Sequence, residues 1–384
     1  FTMIFFVGFF SLAFLTQIDN AFLSSNYLLS LFVNTILLSI GSAIFSTLIA
    51  VPLAILVTFY KFPGQKFFSW ALSLSLAFPA YVYAFIFVGI FEYSSPVSEF
   101  LREAGIVLPA IKNLFGGSII MSMALFPYIF LLTKAQLSSV GVNIFKAAKS
   151  LGDDNLTAIY KVILPSLKPS IIAGMALVIF ETIADFGGVS TLRIETFTVG
   201  IYDAWFGYQN YFSAARLSGY LLLFVLFIIF MSKYFQTDSN SLASKTAENF
   251  EGIKLSKFRQ YLLMGLCSLI FILVFCIPLL QLLFWHIDSL KFDLIENINL
   301  LLNSLILGII CSLLTVFFAV SLALSYRESK RLRPIISISS SGYSIPGSVI
   351  AAGLLVVFSY FFDVSITLYG IFGLLICLSI RFMT

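Results

Sequence analysis

The chain has 384 residues, of which 60% are hydrophobic and 10% are charged, and its formal net charge is +4. Soluble domains carry about 25% charged residues, so this chain has too few charges to cover a water-facing surface. The composition excludes soluble enzymes, nucleic-acid binders and disordered scaffolds. It indicates an integral membrane protein whose surroundings are a lipid bilayer.

The apolar runs are continuous rather than alternating, which predicts membrane-spanning helices in an all-α bundle and not an outer-membrane barrel. A span needs roughly 20 apolar residues. The first run has neither the basic flank nor the cleavage site of a signal peptide, so we interpret it as a span. The predicted spans are residues 1–18, 29–60, 67–91, 114–136, 170–190, 213–235, 260–285, 303–326, 334–360 and 368–384.

The basic residues are distributed unevenly between the loops. If the loop after the first span is external, 17 of the 22 Lys and Arg residues fall on the internal side. Cytoplasmic loops carry such an excess of Lys and Arg, so these loops are predicted to be cytoplasmic. The alternation holds across every loop and supports the multi-pass topology.

The chain also repeats itself in the same orientation, which is a plan found in transporters. Both ends fall inside apolar runs, so we expect a truncated chain with an incomplete second repeat. The predicted organisation is a first repeat at 1–235, a polar cytoplasmic linker at 236–258 and a second repeat at 259–384. The matching segments are 34–37 with 303–306, 50–54 with 319–323, 78–81 with 345–348 and 114–116 with 368–370.

Residues that carry enzymatic chemistry are scarce. His286 is the only histidine, and the four cysteines fall in apolar runs without CxxC spacing, so we predict neither a catalytic site nor a definite metal site. No Gly-x-x-x-x-Gly-Lys-Ser/Thr sequence occurs, so the chain lacks a phosphate-binding loop for hydrolysing ATP. We expect a protein that is not an enzyme and has no cofactor of its own.

One basic loop, residues 138–169, carries a recognisable pattern. Small residues on a short helix permit close docking in a groove, and a glycine then lets the chain turn without steric strain. Two acids follow at the start of the next helix, where they suit the helix dipole. A solvated loop that only sets the topology is the alternative. The pattern consists of Lys146, Ala147, Ala148, Gly152, Leu164 and Pro165.

This spacing resembles the EAA loop of ATP-binding-cassette importer permeases, and we call residues 138–169 the EAA-like loop. The resemblance implies a coupling helix that docks in a groove of a cytoplasmic ATPase through Ala147, Ala148 and Gly152. Lys146 stands where the family has Glu, which removes any salt bridge of that Glu. Leu164 and Pro165 complete the pattern.

Further segments resemble the fused permeases for ferric iron. They are 181–187 and 196–202 in the first repeat and 343–350 in the second. The resemblance implies a type I ABC importer transmembrane fold with two parallel repeats of about six spans, in the bacterial cytoplasmic (inner) membrane. It also implies an ATPase dimer that binds ATP and a periplasmic or extracellular substrate-binding protein. Thiamine, phosphonate and other small solutes remain alternative substrates.

Glu181 and Asp185 are the only acids within a predicted span. Their spacing of four predicts that both lie on one side of a helix, where they line a cation path. A structural pair with Arg193 or Arg216, or a hydrogen bond to a broken backbone near residues 187–188, is the alternative. In an ion-coupled secondary transporter, which is the rival class, these carboxylates would form the coupling site.

An amphipathic segment is predicted on the external side at residues 96–112, which contain Glu99, Arg102 and Glu103. Contact with a binding protein and a plain connector are equally compatible with this sequence.

Overall fold

The computed structural model describes residues 24–235, 252–288, 294–333, 336, 342, 345–361 and 366–383. The predicted span 1–18 and most of the predicted linker lie outside the described residues. The chain divides into two compact units. One combines Asn34–Ile194 with Ile228–Trp285, and the other combines the described parts of Phe1–Val33, Glu195–Phe227 and His286–Thr384. The predicted repeat boundaries at 235 and 259 stay a prediction.

Most elements are helices, because long apolar runs satisfy their backbone hydrogen bonds internally when no water is present. Pro79 separates a short 3-10 turn from the helix that follows it. The Asn113 side chain caps the helix that begins at Leu114, because it accepts a hydrogen bond from the Gly116 amide at 2.8 Å. The elements as far as residue 166 are α1 (Ser25–Phe59), β1 (Tyr60–Lys61), α2 (Gln65–Ala71), the 3-10 turn (Leu72–Ala77), α3 (Ala80–Phe91), α4 (Pro96–Glu103), α5 (Leu114–Gln136), α6 (Val142–Ser150) and α7 (Asn155–Ser166).

The described residues beyond 166 continue the helical pattern, with one short strand. Its two residues pair in parallel with β1, Tyr60 opposite Ile253 and Lys61 opposite Lys254. The remaining elements are α8 (Lys168–Ala184), α9 (Gly187–Thr191), α10 (Phe197–Tyr202), α11 (Tyr211–Phe235), β2 (Ile253–Lys254), α12 (Lys257–Phe271), α13 (Ile277–Asp288), α14 (Leu294–Glu328), α15 (Gly347–Phe361) and α16 (Ile366–Phe382).

The all-α membrane fold predicted from the composition is confirmed. Six helical stretches among the described residues have the length and hydropathy to cross a membrane, or seven if α7 and α8, which meet at a bend of 58°, count as one. The predicted ten spans differ in detail, because Pro79 and Asp185 interrupt apolar runs that hydropathy alone joins. The helices in the last two predicted spans, α15 and α16, have 15 and 17 residues.

The unit built from residues 34–194 and 228–285 is organised around α5. Gly174 of α8 packs directly on α5, where a Cβ atom added to Gly174 would lie 2.8 Å from Ile129 Cα. Gly41 of α1 approaches Ser118 in the same way, with its added Cβ 2.5 Å from the Ser118 Oγ atom. Small residues at such crossings let helix backbones approach closely in a membrane, so α5 is held on two sides by contacts that have no room for a side chain.

We expect Gly174→Ala to destabilise the protein, because the new methyl group meets the backbone of α5. Overpacking of this kind costs typically about 1–3 kcal/mol. Gly265→Ala is the matched control, since Gly265 also lies within a helix but has nothing within 4 Å of an added Cβ. Thermal unfolding of the purified proteins in detergent measures the difference. Equal stability of the two variants would contradict the close crossing.

Candidate functional site: the coupling loop and the membrane carboxylates

The EAA-like loop connects two helices that pack against each other, α5 and α8. Its ends are joined by a hydrogen bond in which the Gln136 Nε2 atom donates to the Ser166 carbonyl at 2.6 Å. The neighbouring Leu137 and Leu167 are fully buried. The base of the loop is therefore closed by packing and by a side-chain hydrogen bond.

One face of the EAA-like loop is anchored in the membrane domain. Phe145 on α6 is buried, and its ring lies 5.0 Å from the ring of Phe59 at the end of α1. Ala148, Ile159 and Ile163 are also buried. The anchored face fixes the orientation of α6 and α7 relative to the spans.

The opposite face of the EAA-like loop exposes apolar side chains. Leu151 is 87% exposed, Tyr160 is 66% exposed and Leu156 is 60% exposed. These three residues lie outside the predicted pattern, although large apolar residues in a polar, basic loop are a sequence signal that could have marked them. Lys146, Lys149 and Lys161 are also exposed. The exposed side chains of the EAA-like loop therefore include large apolar residues as well as basic ones.

Gly152 allows the sharp turn between α6 and α7. Its φ is +100°, in the left-handed region that favours glycine. The Gly152 amide donates to the Lys149 carbonyl at 3.1 Å and the Asp153 amide donates to the Ala148 carbonyl at 3.2 Å, the pair of bonds that ends a helix in a Schellman motif. The predicted role of Gly152 in turning the chain is confirmed.

Asp154 begins α7, as the sequence predicts for an acid at this position. Its carboxylate accepts a hydrogen bond from the Thr157 amide at 3.3 Å. Hydrogen bonding to the Thr157 side chain and backbone holds the pKa of Asp154 below its usual value. The cap is therefore present at neutral pH, and it is lost as the pH falls through that lowered pKa.

The pattern residues do not all face the same way. Lys146, Ala147 and Gly152 are exposed, and Pro165 is exposed near the base of the loop, where Leu164 is half-buried. Ala148 is 4% exposed and belongs to the anchored face. The docking role of Ala148 stays a prediction, and within this chain its side chain is buried.

Of the two membrane carboxylates, Glu181 lies on α8 and Asp185 lies just beyond its end, and that both line one side stays a prediction. Helix α8 ends at Ala184, and Asp185 has extended backbone angles of −73° and 129°. The Asp185 carboxylate accepts a hydrogen bond from the Val189 amide of α9 at 3.0 Å. This is the broken-backbone alternative left open by the sequence. Glu181 stays on α8 and is half-buried.

The glycine pair that follows Asp185 makes this break possible. A Cβ atom on Gly188 would lie 2.7 Å from the Asp185 Oδ2 atom, and one on Gly187 would lie 2.7 Å from the Cβ atom of Tyr81. Larger residues at either position would push the carboxylate or α3 away. Among the described residues, no three His, Cys, Asp or Glu side chains are grouped so that they could hold a metal ion.

Comparisons with known proteins agree with this arrangement. The chain is 29% identical to the Fe(3+)-transport system permease protein FbpB 2 of Haemophilus influenzae over 331 residues, which cover 84% of this chain and 62% of that protein. It is 27% identical to the sulfate transport system permease protein CysT of Salmonella typhimurium over 155 residues, 40% of this chain and 55% of that protein.

A third relative is the probable molybdenum ABC transporter permease protein of Haloferax volcanii, 26% identical over 180 residues, 45% of this chain and 63% of that protein. The chain thus spans less than two thirds of the length of each of these three relatives. The profile of the family described as binding-protein-dependent transport system inner membrane component matches residues 47–238, which contain both the EAA-like loop and the carboxylates. The chain belongs to this family of multi-pass inner membrane proteins.

Proposed function

We propose that this chain forms the substrate path of a binding-protein-dependent importer and that its EAA-like loop couples the path to a separate cytoplasmic ATPase. The exposed apolar face of the loop is the observation that carries the proposal. Leu151, Leu156 and Tyr160 are exposed on a loop that is anchored through Phe145 and Phe59. Burying these side chains in a partner's groove gives a gain in free energy that a free, solvated loop lacks.

The anchored face explains how a force on the loop reaches the membrane. A partner that moves α6 also moves Phe145 against Phe59, and through Gln136 and Ser166 it moves the adjoining ends of α5 and α8. Binding of ATP to two ATPase subunits would then favour one arrangement of the helices over another, as a population shift driven by differential binding. The chain itself supplies no phosphate-binding loop.

For the substrate we propose ferric iron, delivered by an external binding protein. The similarity to FbpB 2 is the most extensive of the three comparisons, whereas the sulfate and molybdenum permeases match shorter parts of the chain. Glu181 and Asp185 add an electrostatic argument, since carboxylate oxygens attract hard cations and repel oxyanions such as sulfate.

A test of the coupling loop uses two glycines that share a backbone conformation. Gly152 and Gly105 have φ of +100° and +78°, and neither has an atom within 4 Å of an added Cβ. Valine at either position is strained by roughly 1–2 kcal/mol, but only position 152 lies in the EAA-like loop. We expect Gly152→Val to lose co-purification with the ATPase and Gly105→Val to retain it.

Two further variants sharpen the test of the loop. Lys146→Glu should retain the ATPase, because Lys146 is not part of the apolar face. Leu151→Asp should lose it, because a charge replaces the most exposed apolar side chain of that face. Unchanged ATPase binding after deletion of residues 146–165 would overturn the coupling role.

The role of Asp185 is tested by two substitutions that differ in what they keep. Asp185→Asn retains an oxygen that caps α9, whereas Asp185→Ala removes it and should cost about 0.5–2 kcal/mol of stability. If the charge attracts a cation, we expect Asp185→Asn to lower uptake by roughly tenfold. The free energy that corresponds to this loss is smaller than the ~4 kcal/mol of a charge pair at 4 Å near a protein surface. Thermal unfolding and uptake are measured together, with Glu181→Gln as the companion variant. Uptake by Asp185→Asn equal to the wild type would leave Asp185 a structural cap only.

Substrate identity is measured by uptake of radiolabelled ferric iron in a strain that lacks this permease and in the same strain with the gene restored. We expect uptake only in the restored strain, and only with an active ATPase. Labelled sulfate and molybdate serve as controls and should not accumulate. Normal iron uptake in the deletion strain would refute the iron assignment, and uptake driven by an ion gradient without the ATPase would replace the proposal by ion-coupled transport.

A further inference from the structure

Helix α4 lies on the membrane side opposite the EAA-like loop, because α5 crosses between them. Its exposed surface has two distinct edges. Val97 and Phe100, three residues apart and therefore neighbours on the helix, are 41% and 70% exposed. Glu99 and Glu103, four residues apart, form an adjacent exposed edge. The apolar edge and the acidic edge adjoin at Phe100 and Glu103, which are also three residues apart.

The orientation of α4 is fixed by its connection to α3. The Ser95 and Ser98 hydroxyls both donate to the Ile90 carbonyl, at 2.6 and 3.3 Å, and the Ser95 Oγ atom accepts from the Ser98 amide at 3.0 Å. Ile90 lies in the last turn of α3, where helix carbonyls have no partner of their own. Both serines are buried, so the two edges of α4 keep a constant direction relative to the spans.

Polar groups around α4 are paired in ways that suit a membrane surface. The Arg102 guanidinium lies 3.8 Å from the centroid of the Tyr93 ring, and Tyr93 is 75% exposed. The Lys112 ammonium lies 2.9 Å from the Glu92 carboxylate and donates a hydrogen bond to it. An arginine stacked on an exposed tyrosine is typical of the layer between hydrocarbon and water.

We propose that the apolar edge of α4 contacts lipid at the outer surface of the bilayer while its acidic edge faces water. Continuity with a span supports lipid as the occupant. Only four residues separate α4 from the end of the apolar helix α3, and the chain returns to the membrane at Leu114, eleven residues after α4 ends. The two edges fit an amphipathic helix at an interface, with Phe100 towards acyl chains and Glu103 in water.

Spin labels placed on the two edges test this proposal in the full chain, reconstituted in phospholipid nanodiscs. The labels are attached through Phe100→Cys or Glu103→Cys after the four native cysteines are replaced by serine. Oxygen concentrates in lipid and a nickel chelate stays in water. We expect the label at 100 to collide more often with oxygen than with nickel, and the label at 103 to show the reverse.

A label attached through Val97→Cys repeats the measurement while Phe100 is intact. It shows whether a loss of lipid contact at position 100 is caused by removing the phenyl ring. We expect position 97 to behave like position 100. Equal nickel access at 97, 100 and 103 would overturn the proposal. Shielding of 97 and 100 that arises only after a substrate-binding protein is added would overturn it as well, because the apolar edge would then be a protein interface.

Discussion

Close contact between helix backbones is the constraint on which the rest of this structure depends. Helices in a bilayer gain little by burying apolar surface against each other, because the surrounding lipid is equally apolar. Packing through small residues has to supply the association instead. Gly174 on Ile129 and Gly41 on Ser118 provide it along α5. Accordingly, 67% of an 18-residue window within Leu114–Ser139 is buried, against 6% of such a window within Asn297–Glu328.

The same packing determines what the EAA-like loop can transmit. A loop tethered at two independent points would absorb a displacement by bending. Here α5 and α8 are in contact, the Gln136 side chain binds the Ser166 carbonyl, and Phe145 is packed on Phe59. A force applied to the exposed face would therefore move α5 and α8 together. Because one face of the loop is anchored and the other is exposed, a partner bound to the exposed face could move the helices attached to the loop.

Much of this arrangement could be predicted from the sequence, because it depends on local chemistry. Hydropathy predicts α1, α5 and α11 to within a few residues, and the steric freedom of glycine and the acceptor of Asp154 predict the turn from α6 to α7. The direction of the loop's two faces could not be predicted. It depends on which side of α6 packs against Phe59, and Phe59 lies 86 residues before Phe145 in the chain.

The break after α8 shows a different limit of sequence reasoning. Residues 170–190 are apolar enough to continue as one helix, and hydropathy carries no information about the direction of the backbone. The decisive signals are small ones: an aspartate that accepts the Val189 amide, and two glycines where a Cβ would collide with Asp185 or Tyr81. Read together, an acid followed by Gly-Gly inside an apolar run predicts a capped break.

The break also bears on the choice between a cation and an anion as cargo. A carboxylate inside a membrane needs a partner. The bond from the Val189 amide satisfies one oxygen of Asp185 and places the backbone of α9 next to that carboxylate. Glu181 lies one helical turn before Asp185. Carboxylates attract cations and repel oxyanions, which is the electrostatic argument behind the proposed ferric cargo.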